Sequence, residues 1–170
     1  MITGLRVSGV ADAAKRLDTI MRQAQLNSSR SLIKAGLQVE REAKKNIRDF
    51  PLIDTGNLRA SGFTMWTGGP APAPVEWKET SKKHKEREIK VDELQKGQNI
   101  TISEAEEKVR VNGPNQFKVA VSFGAFYALF THEDGVMRKW IGAKYLQNAL
   151  TKVTREIPKL FKNILAKGGG

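Results

Sequence analysis

Apolar residues recur at helical spacing over the first third of the chain. Ala13, Leu17, Ile20, Met21 and Ala24 lie three or four apart, and Leu32, Ile33, Leu37, Val39 and Ala43 continue the series. The pattern predicts helix from Val10 to Phe50, as one long helix or as two in series. Asn27-Ser28-Ser29 offers an interruption, with one serine capping a second helix. Against a break, Gln25 and Leu26 carry helical propensity up to the serines. Gln38, Glu40, Arg41, Lys44 and Lys45 are among the exposed candidates, and Glu40 precedes Lys44 by four in the favourable order for a surface pair. Pro51 ends the helix, because the residue before a proline is pushed out of the α region.

After Pro51, Asp54 or Thr55 is placed to cap a short helical turn beginning near Gly56, which supplies backbone freedom at the bend. Leu58 is then expected to point inward and Arg59 outward. Phe63-Thr64-Met65-Trp66 reads as a strand. Gly68 to Pro74 is a cluster of glycine, proline and alanine, expected to form an extended connector. Short strands are predicted at 89–91, 99–102 and 108–111, with a turn at Asn112-Gly113. Phe117 to Phe123 alternates most clearly of all, and the apolar run Ala125 to Thr131 suits a strand or a short helix. Gly135 to Lys139 reads as a loop.

From Lys144 to Lys167 an amphipathic helix is expected, with Tyr145, Leu146, Ala149, Leu150, Val153, Ile157, Leu160, Phe161 and Ile164 as its apolar stripe. Pro158 should kink it or divide it in two. The fold class is therefore α+β. A long N-terminal helix or helix pair and a C-terminal helix pack on one face of a small, mostly antiparallel sheet. The organisation is a single domain over residues 1–170 with a charged insertion at about 68–115. That insertion has few apolar anchors and is expected to be cut first by protease.

Composition narrows the class. With 170 residues the chain suits one domain. It has no apolar run near the roughly 18–20 residues of a membrane span, and no signal peptide is expected at its start. Cysteine is absent, which excludes disulfides and thiolate metal sites. The net charge of +11 and a pI near 10.0 favour contact with a polyanion or with acidic protein surfaces. The plain alternative is a solvated basic face that maintains solubility. The charge is spread over the whole chain, which weakens the case for a dedicated DNA-reading arm.

One local pattern bears on nucleic acid. Trp66 and Trp77 flank the connector, and Lys78, Lys82, Lys83, Lys85 and Arg87 follow. Aromatics beside a basic run can stack bases and neutralise phosphates. Glu76, Glu79, Glu86 and Glu88 alternate with those cations, however, which favours a balanced surface with Trp66 in the core. No helix-turn-helix pattern is present.

Catalytic chemistry finds no constellation. His84 lies in a charge run, and His132-Glu133-Asp134 sits at a predicted strand end, where neighbouring side chains point to opposite faces and do not readily share a metal. There is no Gly-x-Ser-x-Gly and no phosphate-cradling glycine loop. Asp12, Asp18, Glu40, Glu42 and Asp49 lie among lysines and arginines, where surface pairing is the default. Glu104, Glu106 and Glu107 have no partner cluster nearby. The expectation is a protein that is not an enzyme and has no cofactor, no metal and no catalytic residue.

Three segments occur in a telling order. The first is Ala43-Lys44-Lys45-Asn46-Ile47 leading into Pro51-Leu52-Ile53-Asp54-Thr55-Gly56-Asn57-Leu58-Arg59-Ala60-Ser61. The second is Val119 to Gly124 leading into Tyr127-Ala128-Leu129-Phe130-Thr131-His132-Glu133. The third is Gly142-Ala143-Lys144-Tyr145-Leu146-Gln147-Asn148-Ala149-Leu150. Together they resemble the head–tail connector, or neck, proteins of tailed bacteriophages, also labelled minor capsid or tail-component proteins. The resemblance covers about residues 30–66 and 117–165, and the segment between Gly68 and Asn115 is longer and more charged than the family's central loop.

The resemblance implies a structural virion protein, a subunit of a homo-oligomeric ring at the head–tail joint that serves neck or tail completion. It would reside in the virion after synthesis in the host cytoplasm. Its partners would be other neck proteins, the portal-side connector or the tail terminator or tube, with contact to genomic DNA in the channel and none to membrane. Asp54, Thr55 and Gly56 would shape the turn, Leu58 would anchor it and Arg59 would pair with a carboxylate of its own or a neighbouring subunit. Tyr127 and His132 would fix the sheet edge, and Lys144, Tyr145 and Leu146 would open the last helix. The competing class is a basic nucleic-acid-binding module that contacts DNA without catalysis.

Overall fold

The computed structural model describes residues 10–48, 56–78, 90–113, 116–125, 128 and 144–167. Its elements are helix α1 (Val10–Arg48), the short helix α2 (Asn57–Ala60), strand β1 (Gly62–Trp66), helix α3 (Val91–Val109), strand β2 (Val119–Phe123), and helices α4 (Tyr145–Thr154) and α5 (Ile157–Lys167). This is the α+β class expected, with a long N-terminal helix, a two-stranded antiparallel sheet and C-terminal helices.

α1 runs unbroken for 39 residues, so of the two arrangements the sequence allowed, the single helix is adopted. The serines do not cap a second helix. Ser31 Oγ donates to the Asn27 carbonyl at 2.8 Å and Ser29 Oγ to the Gln25 carbonyl at 3.0 Å. Hydroxyls bonded back four residues are satisfied inside a helix, so these residues need not end it.

β1 and β2 pair with Gly62 opposite Phe123 and Trp66 opposite Val119. On one face α1 lies close against the sheet. A Cβ added at Gly36 would stand 2.5 Å from Val119 Cγ1 and 2.9 Å from Thr64 Cγ2. The main core fills the junction of α1, α2, β2 and α4: Ala35, Val39, Ala43 and Ile47 meet Leu58, Phe123, Tyr145, Ala149 and Val153. α4 and α5 run antiparallel along α1. Asn46 Nδ2 donates to the Tyr145 carbonyl at 2.9 Å, Lys152 Nζ to Glu42 Oε2 at 2.6 Å, and Gln38 Nε2 to Glu156 Oε2. Pro158 divides the C-terminal helix as expected. It is the second residue of α5, where a missing N–H costs little.

α3 corrects the sequence reading. Of the stretches expected as strands at 89–91, 99–102 and 108–111, the middle one lies wholly within one 19-residue helix, which also takes in Val91, Lys108 and Val109. β-branched Ile100-Thr101-Ile102 suggested a strand, yet the buried positions Leu94, Gln98, Ala105 and Val109 follow helical spacing. Asp92 and Glu93 in its first turn and Lys108 in its last complement the helix dipole. α3 packs Ala105 and Val109 on Phe63 and Met65, forming a second core. Helices therefore cover both faces of the sheet rather than one. This also explains why β2 does not alternate cleanly: residues 119–122 are all half-buried and Phe123 is buried. Trp66, expected in the core, is half-buried, with its ring close to Gly69. The 68–115 insertion is thus partly an integral helix of the fold.

Residues 70–78 form neither helix nor strand, as the connector reading required. Asp54, Thr55, Tyr127, His132, Lys82, Lys83, Lys85, Arg87, His84 and the 135–139 loop lie outside the described residues.

Candidate functional site

The segment after α1 is built around one left-handed residue. Gly56 has φ +71° at the N-cap of α2, a conformation glycine adopts without penalty, and among the described residues no side chain caps this helix. Asn57, quoted in the motif but given no role from sequence, is buried and holds the end of the connector at two points. Its Nδ2 donates to the Lys78 carbonyl at 2.7 Å and its Oδ1 accepts from the Lys78 amide at 2.9 Å. Leu58 is fully buried and Arg59 is exposed, as expected. Ser61 is buried and donates to the Leu58 carbonyl at 2.8 Å.

The third motif serves packing. Lys144 occupies the exposed N-cap position of α4. Tyr145 stands edge-on to Phe123 with ring centroids 5.1 Å apart, and its hydroxyl donates to the Ala128 carbonyl at 3.3 Å. Leu146 is half-buried against the main core. These residues hold the C-terminal helices in place.

The outer side of α1 gathers charge. An open groove of about 920 Å³ has Lys34, Leu37, Arg41 and Lys45 on α1 among its lining residues, with Arg59 of α2 and Leu160 of α5. A smaller hollow of about 400 Å³ shares Lys44 and Arg59 with it and reaches Glu76 and Lys78. Of the basic run predicted to contact a polyanion, Lys78 is therefore brought beside Arg59. The Trp77 indole N–H donates to Gln95 Oε1 at 2.9 Å and the ring packs against the main core, so its polar edge is engaged within the fold.

Both carboxylates lining the groove are engaged. Glu40 receives Lys44 Nζ at 2.6 Å and the Thr64 hydroxyl at 2.6 Å. Glu42 receives Lys152 Nζ at 2.6 Å and Lys45 Nζ at 2.7 Å. The hydrogen bond from Lys152, then that from Lys45, holds the Glu42 carboxyl below its ordinary range, although burial opposes this. The same bond raises Lys152. Lys34, Arg41 and Arg59 make no ion pair with any described residue. The carboxylate partner expected for Arg59 is thus absent among the described residues of its own chain.

What remains is a concave surface with an excess of cations, suited to anionic groups. Among the described residues, no three or more His, Asp or Glu side chains converge as a metal site would need, and no helix is long and apolar enough to cross a membrane. Compared with family models, with curated proteins and with solved structures, the chain matches none.

Proposed function

We propose that this chain is a non-enzymatic structural subunit of a tailed bacteriophage, assembling with copies of itself into a ring at the head–tail joint. The three ordered motifs carry the phage reading. One structural observation supports the assembling role: the first two-fifths of α1 stand clear of the body. Asp12 and every residue from 14 to 26 are exposed, including Leu17 at 59%, Ile20 at 64% and Met21 at 62%. These apolar residues share the face that, further along the same helix, becomes the buried stripe Ala35, Val39 and Ala43. A helix that continues its core stripe beyond its own core presents that stripe to another molecule. Cyclic rings need two unlike surfaces per subunit, and the arm and the body supply them.

The deciding experiment is detection of the chain in purified virions, with its position fixed by electron microscopy. Density at the neck is the expected result, and absence from mature particles would remove the structural role. The basic groove favours the second reading, a soluble module that binds nucleic acid without catalysis. That reading predicts DNA binding by a protein that is missing from virions.

A further inference from the structure

One side of α1 carries five cations, four of them clustered between Arg30 and Lys45, with Gln23 and Asn27 in the gap after Arg16 and Asp12 in line one turn before it. Arg16, Arg30, Lys34, Arg41 and Lys45 are exposed and recur at intervals that are sums of sevens and fours, which places them on one side of the helix. No carboxylate shares that side between Arg16 and Lys45. Asp18, Glu40 and Glu42 project elsewhere: Asp18 pairs with Arg22 at 2.8 Å, and the two glutamates hold the contacts described above. Arg16, Arg30, Lys34 and Arg41 make no ion pair with a described residue. At 1.5 Å per residue, the face extends about 44 Å. Arg59 broadens it at the groove.

We infer that this face of α1 is a binding surface for the phosphate backbone of duplex DNA. The inference deepens the proposed reading by naming which surface meets the genome, and rests on it only for the setting. Duplex DNA carries one negative charge per about 1.7 Å of axis, so the cluster Arg30, Lys34, Arg41 and Lys45 meets several phosphates whatever the base sequence, and Arg16 reaches a further one. An acidic protein partner is the weaker fit. Protein interfaces centre on apolar and aromatic anchors, and among the described residues the groove offers Leu37 and the half-buried Leu160 but no aromatic side chain. Binding should be independent of sequence, because phosphate contacts position but do not specify.

The test uses the full chain and a labelled 30-base-pair duplex of arbitrary sequence, followed by fluorescence anisotropy between 50 and 200 mM salt. Affinity should fall by about a hundredfold or more across that range, as release of counterions from several phosphates requires. The pair Lys34→Gln and Arg41→Gln should weaken binding at least tenfold and reduce the salt slope by about two, one for each cation removed. The pair Lys96→Gln and Lys108→Gln removes the same charge from exposed positions on α3 and should leave the slope nearly unchanged. All four sites are exposed, and thermal unfolding of each variant confirms that it folds.

Three results would overturn the inference: no binding at 50 mM salt, equal losses from the two variant pairs, or displacement of the DNA by polyglutamate at matched charge concentration. The last would assign the face to an acidic protein. Finding the chain in virions while it fails to bind DNA would sink this inference alone, whereas salt-sensitive binding by a chain absent from virions would sink only the structural reading.

Discussion

Lys152 of α4 donates to Glu42 of α1 at 2.6 Å, and this pair spans the seam between the N-terminal and C-terminal parts of the chain. Glu42 is buried as a residue, whereas the Lys152 side chain is 60% exposed. The carboxylate therefore depends on its two lysines for the hydrogen bonds that water would otherwise give.

That dependence sets a pH response. The folded Glu42 carboxyl lies below its unfolded value, so the stability it contributes is present above the ordinary carboxylate range and lost as pH falls through the depressed value. Lys152 is raised, so its share is present below the ordinary lysine range and lost as pH rises through the raised value. Replacing Lys152→Met should lower the melting temperature at pH 7 and shrink the drop between pH 7 and pH 3. A variant melting curve parallel to wild type across that range would show that the pair contributes nothing.

Gly36 should not tolerate a side chain. The Cβ position already falls within 3 Å of Val119 and Thr64 side-chain carbons, which belong to paired strands and cannot swing away. Gly36→Val is expected to destabilise by about 1–3 kcal/mol, the usual cost of overpacking. Urea unfolding measures it, and a midpoint equal to wild type would mean that α1 can lift off the sheet without cost.

Gln98 offers the opposite sign. It is buried on α3, and neither its Nε2 nor its Oε1 has a hydrogen-bond partner among the described residues. A buried unpaired polar group costs about 1–3 kcal/mol. Gln98→Met keeps the length of the side chain and removes the unsatisfied atoms. Stabilisation of about 1 kcal/mol is expected, seen as a higher urea midpoint with an unchanged slope.

The exposed arm and the buried anchor separate folding from assembly. Leu58→Ala, at a fully buried position, should cost about 2–5 kcal/mol. Leu17→Asp with Ile20→Asp, on the exposed arm, should change unfolding free energy by less than about 1 kcal/mol. The arm variant should instead fail to enter high-mass assemblies or virions, as read by light scattering and particle composition. Wild-type incorporation by the arm variant would show that the uncovered face has no assembly role.

α1 and the C-terminal helices were legible because their periodicity is local. Repeats of three and four from Ala13 to Ala43 and from Tyr145 to Ile164 can be read without knowing what lies opposite. Gly56, Leu58 and Pro158 behave as their chemistry requires, since a left-handed bend, an inward leucine after a tight turn and a proline near a helix start depend on neighbours only a few residues away. α3 could not be read in this way. Ile100-Thr101-Ile102 suits a strand by itself, and only docking of Ala105 and Val109 on Phe63 and Met65 makes that segment a helix. Tertiary structure alone also separated two identical-looking parts of one pattern. The apolar stripe of α1 is uniform in sequence, but α4 and the sheet cover Ala35 to Ile47 and leave Leu17 to Met21 bare. Periodicity states that a helix has an apolar face, and only packing determines how much of that face the chain covers for itself.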